Sequence, residues 1–362
     1  MFYHLFYPLK DLWFGFNVFR YITFRAGMAA FTSFLLCVLV LPLFIRWMKA
    51  IKAGQYVRTE HVGEIYDLHK HKQGTPTMGG VVILAAVVVS TILWGRPENS
   101  FVIMALGGMT WLGIAGAVDD LLKIRNKSSK GLGGVYKLGA QAVLALIVGI
   151  FVVSNKHLGT ELYLPFLKNA VANLGYLYIL FILIVVAGAS NAVNLTDGLD
   201  GLAIGCVVFI SLSYSVMCYV TGHIEISNYL HLFYVPGAGE LTVFCAALAG
   251  ASLGFLWYNG HPATIFMGDT GSLSLGGAIA IVSVIIKKEI LLVIVGGVLV
   301  VETLSVLLQV ASFRLRGKRV FLMSPIHHHF QKKGWHESKI TVRFWIVASV
   351  LALLGMMALK VR

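Results

Sequence analysis

Apolar residues run in long unbroken blocks along this chain, and polar residues gather in the short stretches between them. The blocks fall near 24–46, 78–94, 101–118, 135–154, 174–190, 202–220, 241–256, 273–286, 289–310 and 341–359. Most are long enough to need about 30 Å of hydrocarbon to bury them. A backbone in hydrocarbon must satisfy its own polar groups, so each block is expected to be a helix. The pattern predicts an all-α polytopic membrane protein of ten transmembrane helices, one integral membrane domain over 1–362. The blocks at 241–256 and 273–286 are short or glycine-interrupted, which predicts half-buried helices lining a cavity. Residues 1–21 are aromatic-rich and broken by Lys10, Asp11 and Arg20, the pattern of an interfacial segment, with no signal-peptide pattern of basic, apolar and small residues.

Ten crossings place both termini on one side. Basic residues concentrate on the other, at 46–72, 123–130 and 314–339. Positive charge marks the cytoplasmic side, so both termini are expected to be periplasmic. The same parity puts five polar motifs on the cytoplasmic face: HKHKQGTPTMGG at 69–80, DDLLK at 119–123, NLTDGLDG at 194–201, YNGHPATIFMGDTG at 258–271 and PIHHHF at 325–330. Five loops meeting on one face describe an active site. A transporter places ionisable groups at mid-membrane, for which only Glu302 and Gln309 qualify.

Composition agrees with this class. The 362 residues are 58% hydrophobic and 12% charged, against about 25% charged in soluble proteins. Cys37, Cys206, Cys218 and Cys245 stand singly in apolar blocks, so neither disulfides nor a zinc site is indicated. The net charge of +13 suits anionic lipid and an anionic substrate, and no nucleic-acid-binding module accompanies it.

Several motifs carry chemistry. Asn191, Asn194, Asp197 and Asp200 recur every third residue between two apolar blocks, with Gly198 and Gly201 between them. Carboxylates near hydrocarbon are costly and mark function, although Asn194 or Asp197 would also serve as helix caps. Asp119 and Asp120 are adjacent, and Lys123 stands one helical turn from Asp119; the plainer reading is a solvated helix end. Together with Asp197, Asp200 and Asp269 they supply hard oxygen ligands for Mg²⁺. The GDTG turn at 268–271 precedes a helix expected from Ser272, whose first amides face the same side and suit phosphate oxygens. Lys123, Lys130 and Lys137 add positive charge. The GxxxxGK(S/T) phosphate loop is missing, so nucleoside triphosphatase chemistry is not indicated. His327, His328 and His329 are too close in sequence to converge on zinc; as neutral imidazoles they suit hydrogen bonds to phosphate or sugar, as His69 and His71 do more weakly.

The segments DDLLK, NLTDGLDGLA, WYNGHPATIFMGDTGSL, VVETLSVLLQV and PIHHHFQKKGWHESKITVRFW together resemble the phospho-N-acetylmuramoyl-pentapeptide-transferase family, across essentially the entire chain. DDxxK and NxxDGxDG mark the wider polyprenyl-phosphate N-acetylhexosamine-1-phosphate transferase superfamily, and PIHHHF narrows it to the peptidoglycan branch. The resemblance implies an inner-membrane homodimer that uses Mg²⁺. It also implies transfer of phospho-MurNAc-pentapeptide from its UDP carrier to undecaprenyl phosphate, giving lipid I and UMP. A sibling enzyme acting on another UDP-sugar, such as UDP-GlcNAc, would share the scaffold. On matched positions the resemblance implies metal binding by Asp269 with Asp120, and Asp119 close by. It places Lys123, Lys137, Asn194, Asp197, Asp200, Asn259 and His328 around nucleotide and phosphates, flanked by His327 and His329, with Phe266 stacking near uracil. Direct attack by the lipid phosphate, assisted by Asp119 or Asp200, and a two-step route through a covalent aspartyl intermediate both remain open.

Overall fold

The computed structural model describes residues 1–51, 54, 74–128, 131–167 and 169–360. A short helix α1 (Phe2–Phe6) and two 3₁₀ segments lead into α2 (Ile22–Ala50). Then come α3 (Gly80–Trp94), α4 (Ser100–Arg125), α5 (Gly134–Ser154), α6 (Leu177–Thr196) and α7 (Leu202–Thr221). After the short α8 (Ile224–Tyr229), the chain continues as α9 (Leu241–Asn259), α10 (Gly268–Ile285), α11 (Glu289–Val295), α12 (Gly297–Arg316), α13 (Ile326–Lys332) and α14 (Glu337–Met357). Among the described residues, nine helices are long and apolar enough to cross a membrane, the one containing α9 being counted from Ala238; α3 is a shorter apolar helix.

The core is built from α9 and α10, the two helices of the glycine-interrupted blocks. Contrary to the expected half-buried, broken segments, α9 and α10 are continuous and the most buried of the nine. Their small residues serve close packing, as at helix contacts in membranes. A Cβ on Gly250 would collide with the backbone of Ala30 in α2, and one on Gly276 with Ala189 and Ser190 in α6. Accordingly α9 packs against α2 and α7, and α10 against α4 and α6.

Two further expectations need correction. The block 289–310 is not one helix: it breaks at Gly296 between α11 and α12, where two successive glycines have little preference for continuing a helix, and α12 runs on to Arg316. The second concerns the helix after GDTG, which begins at Gly268 and so includes Asp269, where Ser272 was expected to open it. The class is all-α as expected; among the described residues a single pair of two-residue antiparallel strands, β1 (Glu161–Leu162) and β2 (Ala172–Asn173), interrupts it, pairing Glu161 with Asn173.

The 1–21 segment folds as an aromatic cap on the end of α3. Phe2, Phe19 and Phe24 surround Trp94, and the amino terminus donates to the carbonyls of Ile92 and Gly95. Beside it, fully buried Arg25 makes two 2.7 Å bonds to Glu240. Removing one partner of such a pair costs about 3–5 kcal/mol, because the other charge is left buried and alone.

Candidate active site

At the other end of these helices, Asp119 and Asp120 occupy the last turns of α4. Successive residues on a helix point about 100° apart, and here the two carboxylates serve different neighbours. Asp120 reaches α10: Oδ1 accepts the Asp269 amide at 3.1 Å, and Oδ2 accepts the Thr270 amide at 2.9 Å and its hydroxyl at 2.7 Å. The first amides of a helix have no partner within it and carry partial positive charge, so a carboxylate is stabilised there. The amides expected to meet phosphate are therefore held, at Asp269 and Thr270, by a side chain of this protein. Two glycines make the approach possible. A Cβ on Gly116 would strike the Asp269 carbonyl, and Gly268, at φ +76°, lies against the Asp120 carboxylate.

Asp119 turns the other way and is fully buried, so DDLLK is not a solvated helix end. Its Oδ1 accepts the Leu132 amide at 2.6 Å and faces the Lys137 ammonium at 3.0 Å; Oδ2 faces Lys123 at 2.5 Å. The backbone at Gly131 roofs this carboxylate so closely that a Cβ there would overlap it. Asp269 completes the group. It pairs with Lys123 at 3.1 Å and with Lys137, and it is the most exposed of the three carboxylates, at 14%.

Three carboxylates and two ammonium groups leave one net negative charge if all are ionised. Asp119, Asp120 and Asp269 each offer an oxygen within 4.8 Å of the others. Asp119 Oδ2 is buried and, despite its ion pair, makes no hydrogen bond. Clustered hard oxygens with spare acceptor capacity fit a small divalent cation such as Mg²⁺.

The NLTDGLDG loop lies beside this group. Asn194, in the last turn of α6, donates to Ser272 Oγ in α10 at 2.8 Å, tying the loop to the helix that carries Asp269. Asp197 caps α6. Asp200 does not join Asp119. It is buried in a neighbouring cluster, where Oδ2 accepts the Ala263 amide at 3.0 Å and lies 3.1 Å from His261 Nδ1, while its own amide donates to Glu337 at 2.7 Å. Asn259 works inside the protein: its oxygen accepts the Gly201 amide at 3.1 Å and its nitrogen donates to the Ile265 carbonyl at 2.8 Å. Phe266 is half-buried, its backbone paired with Pro76 and Gly79.

The three histidines do three different things. His327 is fully buried, with Nδ1 3.0 Å from Glu302 and its other nitrogen against Gly198. Glu302 thus holds the histidine segment against the aspartate loop. His328 is half-buried, with Nδ1 2.7 Å from the Gln331 side-chain oxygen. His329 Nδ1 accepts the Leu322 amide at 3.1 Å. Partial desolvation, then the nearby Lys333 ammonium, holds the His329 imidazole below the ordinary histidine range.

Asp119, Asp120, Lys123, Lys137 and Asp269 therefore come together. Asn194 and the His327 loop adjoin them through α10 and Gly198, and Asp200 and Asn259 brace the side. His69, His71 and Lys130 lie outside the described residues. Sequence reading did not single out Thr270, Leu132, His261 or Glu337. Thr270, His261 and Glu337 lie inside the quoted motifs, whereas Leu132 acts through its backbone and left no signal.

The family model described as Glycosyl transferase family 4 matches residues 102–287. The Phospho-N-acetylmuramoyl-pentapeptide-transferase signature 1 matches residues 72–84. Among curated proteins, the chain is 53% identical to the phospho-N-acetylmuramoyl-pentapeptide-transferase of Desulfotalea psychrophila, and 52% identical to that of Citrifermentans bemidjiense, over the full length of both partners. The enzyme of Methylacidiphilum infernorum is 49% identical over 96% of each chain.

Proposed function

This chain belongs to the phospho-N-acetylmuramoyl-pentapeptide-transferase family, and we propose that it transfers phospho-MurNAc-pentapeptide from UDP-MurNAc-pentapeptide to undecaprenyl phosphate, releasing UMP and forming lipid I. The observation that carries this reading is the carboxylate–ammonium group of Asp119, Asp120, Asp269, Lys123 and Lys137 at the ends of apolar helices. A soluble nucleotide and a lipid phosphate can meet only at such a membrane border. One pyrophosphate linkage replaces another, so no further energy source is needed.

Asp269, the most exposed carboxylate, would hold Mg²⁺ together with Asp120 and Asp119. Bound there, Mg²⁺ offsets the charge of the two phosphates as they approach. Lys123 and Lys137 bridge the carboxylates and can turn one ammonium proton each toward phosphate oxygens, adding to that neutralisation. Asp120 fixes the start of α10 and thereby the position of Asp269. Asp119 sets the two lysines. Asn194 and His328 would line the adjoining wall for nucleotide and sugar, and Phe266 would stack near uracil.

The wider architecture follows the same reading. The chain crosses an inner membrane ten times as one domain, α3 being the short crossing, and both termini are periplasmic. It works as a homodimer with its site facing the cytoplasm. A cysteine at Ser128 should react with an impermeant reagent only from the cytoplasmic side; labelling from outside intact cells would overturn the orientation.

The test of function is exchange of labelled UMP into candidate UDP-sugars by the purified enzyme with Mg²⁺ and undecaprenyl phosphate. Label should enter UDP-MurNAc-pentapeptide. Entry into UDP-GlcNAc instead would assign the chain to the sibling reaction.

A further inference from the structure

We propose that the turn joining α12 to α13 is a docking surface for anionic phospholipid headgroups of the leaflet bordering the site, and that this contact holds the histidine segment at its working depth. The inference rests on the membrane-spanning reading of α12. Residues 313–320 read FRLRGKRV, and no acidic residue lies between Glu302 and Glu337. Arg314, Arg316, Lys318 and Arg319 are all exposed. Between and beside them stand Phe313, Leu315, Val320 and Leu322, all exposed, with Leu315 at 83%. Large apolar side chains alternating with cations at the end of a membrane helix suit the headgroup boundary, where the chains enter lipid and the charges meet phosphate.

The turn is built rather than loose. Gly317 ends α12 in the left-handed conformation. Ser312 Oγ donates to the Lys318 carbonyl at 2.9 Å, and Gln309 accepts the amides of Val320 and Phe321 at 2.9 Å each. The next residue, Leu322, donates to His329. A headgroup bound at the cations is thus one short, hydrogen-bonded path from the segment that carries His327 and His328. Clusters of four or more basic residues beside a membrane helix recognise anionic lipid through summed, salt-sensitive attraction.

The test uses the full-length protein in nanodiscs of phosphatidylcholine with or without about one-third phosphatidylglycerol, and spin-labelled phosphatidylglycerol as the reporter of protein-bound lipid. The wild type should prefer the phosphatidylglycerol probe over its phosphatidylcholine counterpart, less so at 0.5 M salt. The combined variant Arg314→Gln, Arg316→Gln, Lys318→Gln, Arg319→Gln should lose most of that preference, roughly tenfold. Arg314→Lys, Arg316→Lys and Arg319→Lys together should keep it. Should the four-site variant not fold, Arg314→Gln with Arg316→Gln should show a partial loss. Turnover of the wild type, but not of the neutral variant, should rise several-fold when phosphatidylglycerol is added. Equal binding of both probes by the wild type, or an undiminished preference in the neutral variant, would overturn the proposal. So would a preference seen only for spin-labelled polyprenyl phosphate, which would make the turn an acceptor-recruiting surface. Because lipid preference is read without turnover, a chain inactive on UDP-MurNAc-pentapeptide could still show it, and the two readings fail separately.

Discussion

Asp120 accepts both the amide and the hydroxyl of Thr270, at 2.9 and 2.7 Å, across a sequence distance of 150 residues. This pair sets where α10 begins and therefore where the neighbouring Asp269 carboxylate stands. Thr270→Val keeps the shape and the amide bond but deletes the hydroxyl donor. Hydrogen bonds to charged groups contribute about 1.5–3 kcal/mol, and a misplacement near 1 Å costs about 10²-fold in rate. Thr270→Val should therefore lower thermal stability and cut turnover by roughly that factor, while Thr270→Ser should retain both. Melting curves and initial rates of the two variants check this; equal behaviour of Val and Ser would show that the Thr270 hydroxyl adds nothing to the hold of Asp120 on α10.

Asp269 is the carboxylate best placed to meet a divalent cation, being the most exposed of the three and flanked by Lys123 and Lys137. Asp269→Asn should leave the fold intact, weaken Mn²⁺ binding measured by EPR, and lower turnover by several orders of magnitude. Near-normal Mn²⁺ affinity in the folded variant would remove Asp269 from the metal site.

The fold was legible where burial is continuous along the chain. Each apolar block near 135–154 or 202–220 became a helix within a few residues, because hydrocarbon leaves a backbone no alternative. Glycines were harder to read. Those in α9 and α10 looked like interruptions and prove to be contact points against Ala30, Ala189 and Ser190, whereas Gly296 does end a helix. Local sequence cannot tell a glycine facing another helix from one that breaks its own. The site was legible as a set of motifs, and Asp119, Asp120, Lys123, Lys137 and Asp269 do meet. Their division of labour was not, because partners such as Asp120 and Thr270, Glu302 and His327, or Asp200 and Glu337 are neighbours only in space. The histidine triplet shows the cost of reading residues by type: adjacent and chemically identical, they face a buried carboxylate, a glutamine and a backbone amide.

His329 accepts the Leu322 amide through Nδ1, which needs that nitrogen unprotonated, and partial desolvation followed by Lys333 keeps the imidazole below the ordinary histidine range. A base whose folded value is lowered contributes stability that is complete above the unfolded value and lost as pH falls through the folded one. The Leu322–His329 contact should thus hold at pH 7.5 and loosen below the ordinary histidine range. Titration of isotope-labelled His329 by NMR should give a midpoint under that of free histidine, and Lys333→Gln should raise it. A wild-type midpoint at or above the free value would refute this.

Asp119 decides between the two chemical routes. It is fully buried, roofed by the Gly131 backbone, and held by the Leu132 amide, Lys123 and Lys137. A nucleophile must reach phosphorus, and this carboxylate is turned into the protein; its surroundings suit orienting the two lysines. These surroundings favour direct attack by the lipid phosphate, and a phosphate monoester with a second ionisation near pH 6 is already largely charged at neutral pH. A carboxylate that orients Lys123 and Lys137 acts through them, so Asp119→Asn should misplace the two ammonium groups and form lipid I slowly, down about 10²-fold, and Gly131→Ala, which crowds the carboxylate without deleting it, should also slow turnover. An obligatory nucleophile would instead make Asp119→Asn inactive at every pH. The deciding measurement leaves out the acceptor: enzyme, Mg²⁺ and UDP-MurNAc-pentapeptide are mixed, UMP is removed enzymatically as it forms, and release is counted per enzyme. Direct attack predicts no burst until undecaprenyl phosphate is added. One UMP per enzyme without acceptor, with phospho-sugar retained on Asp119, would establish the two-step route.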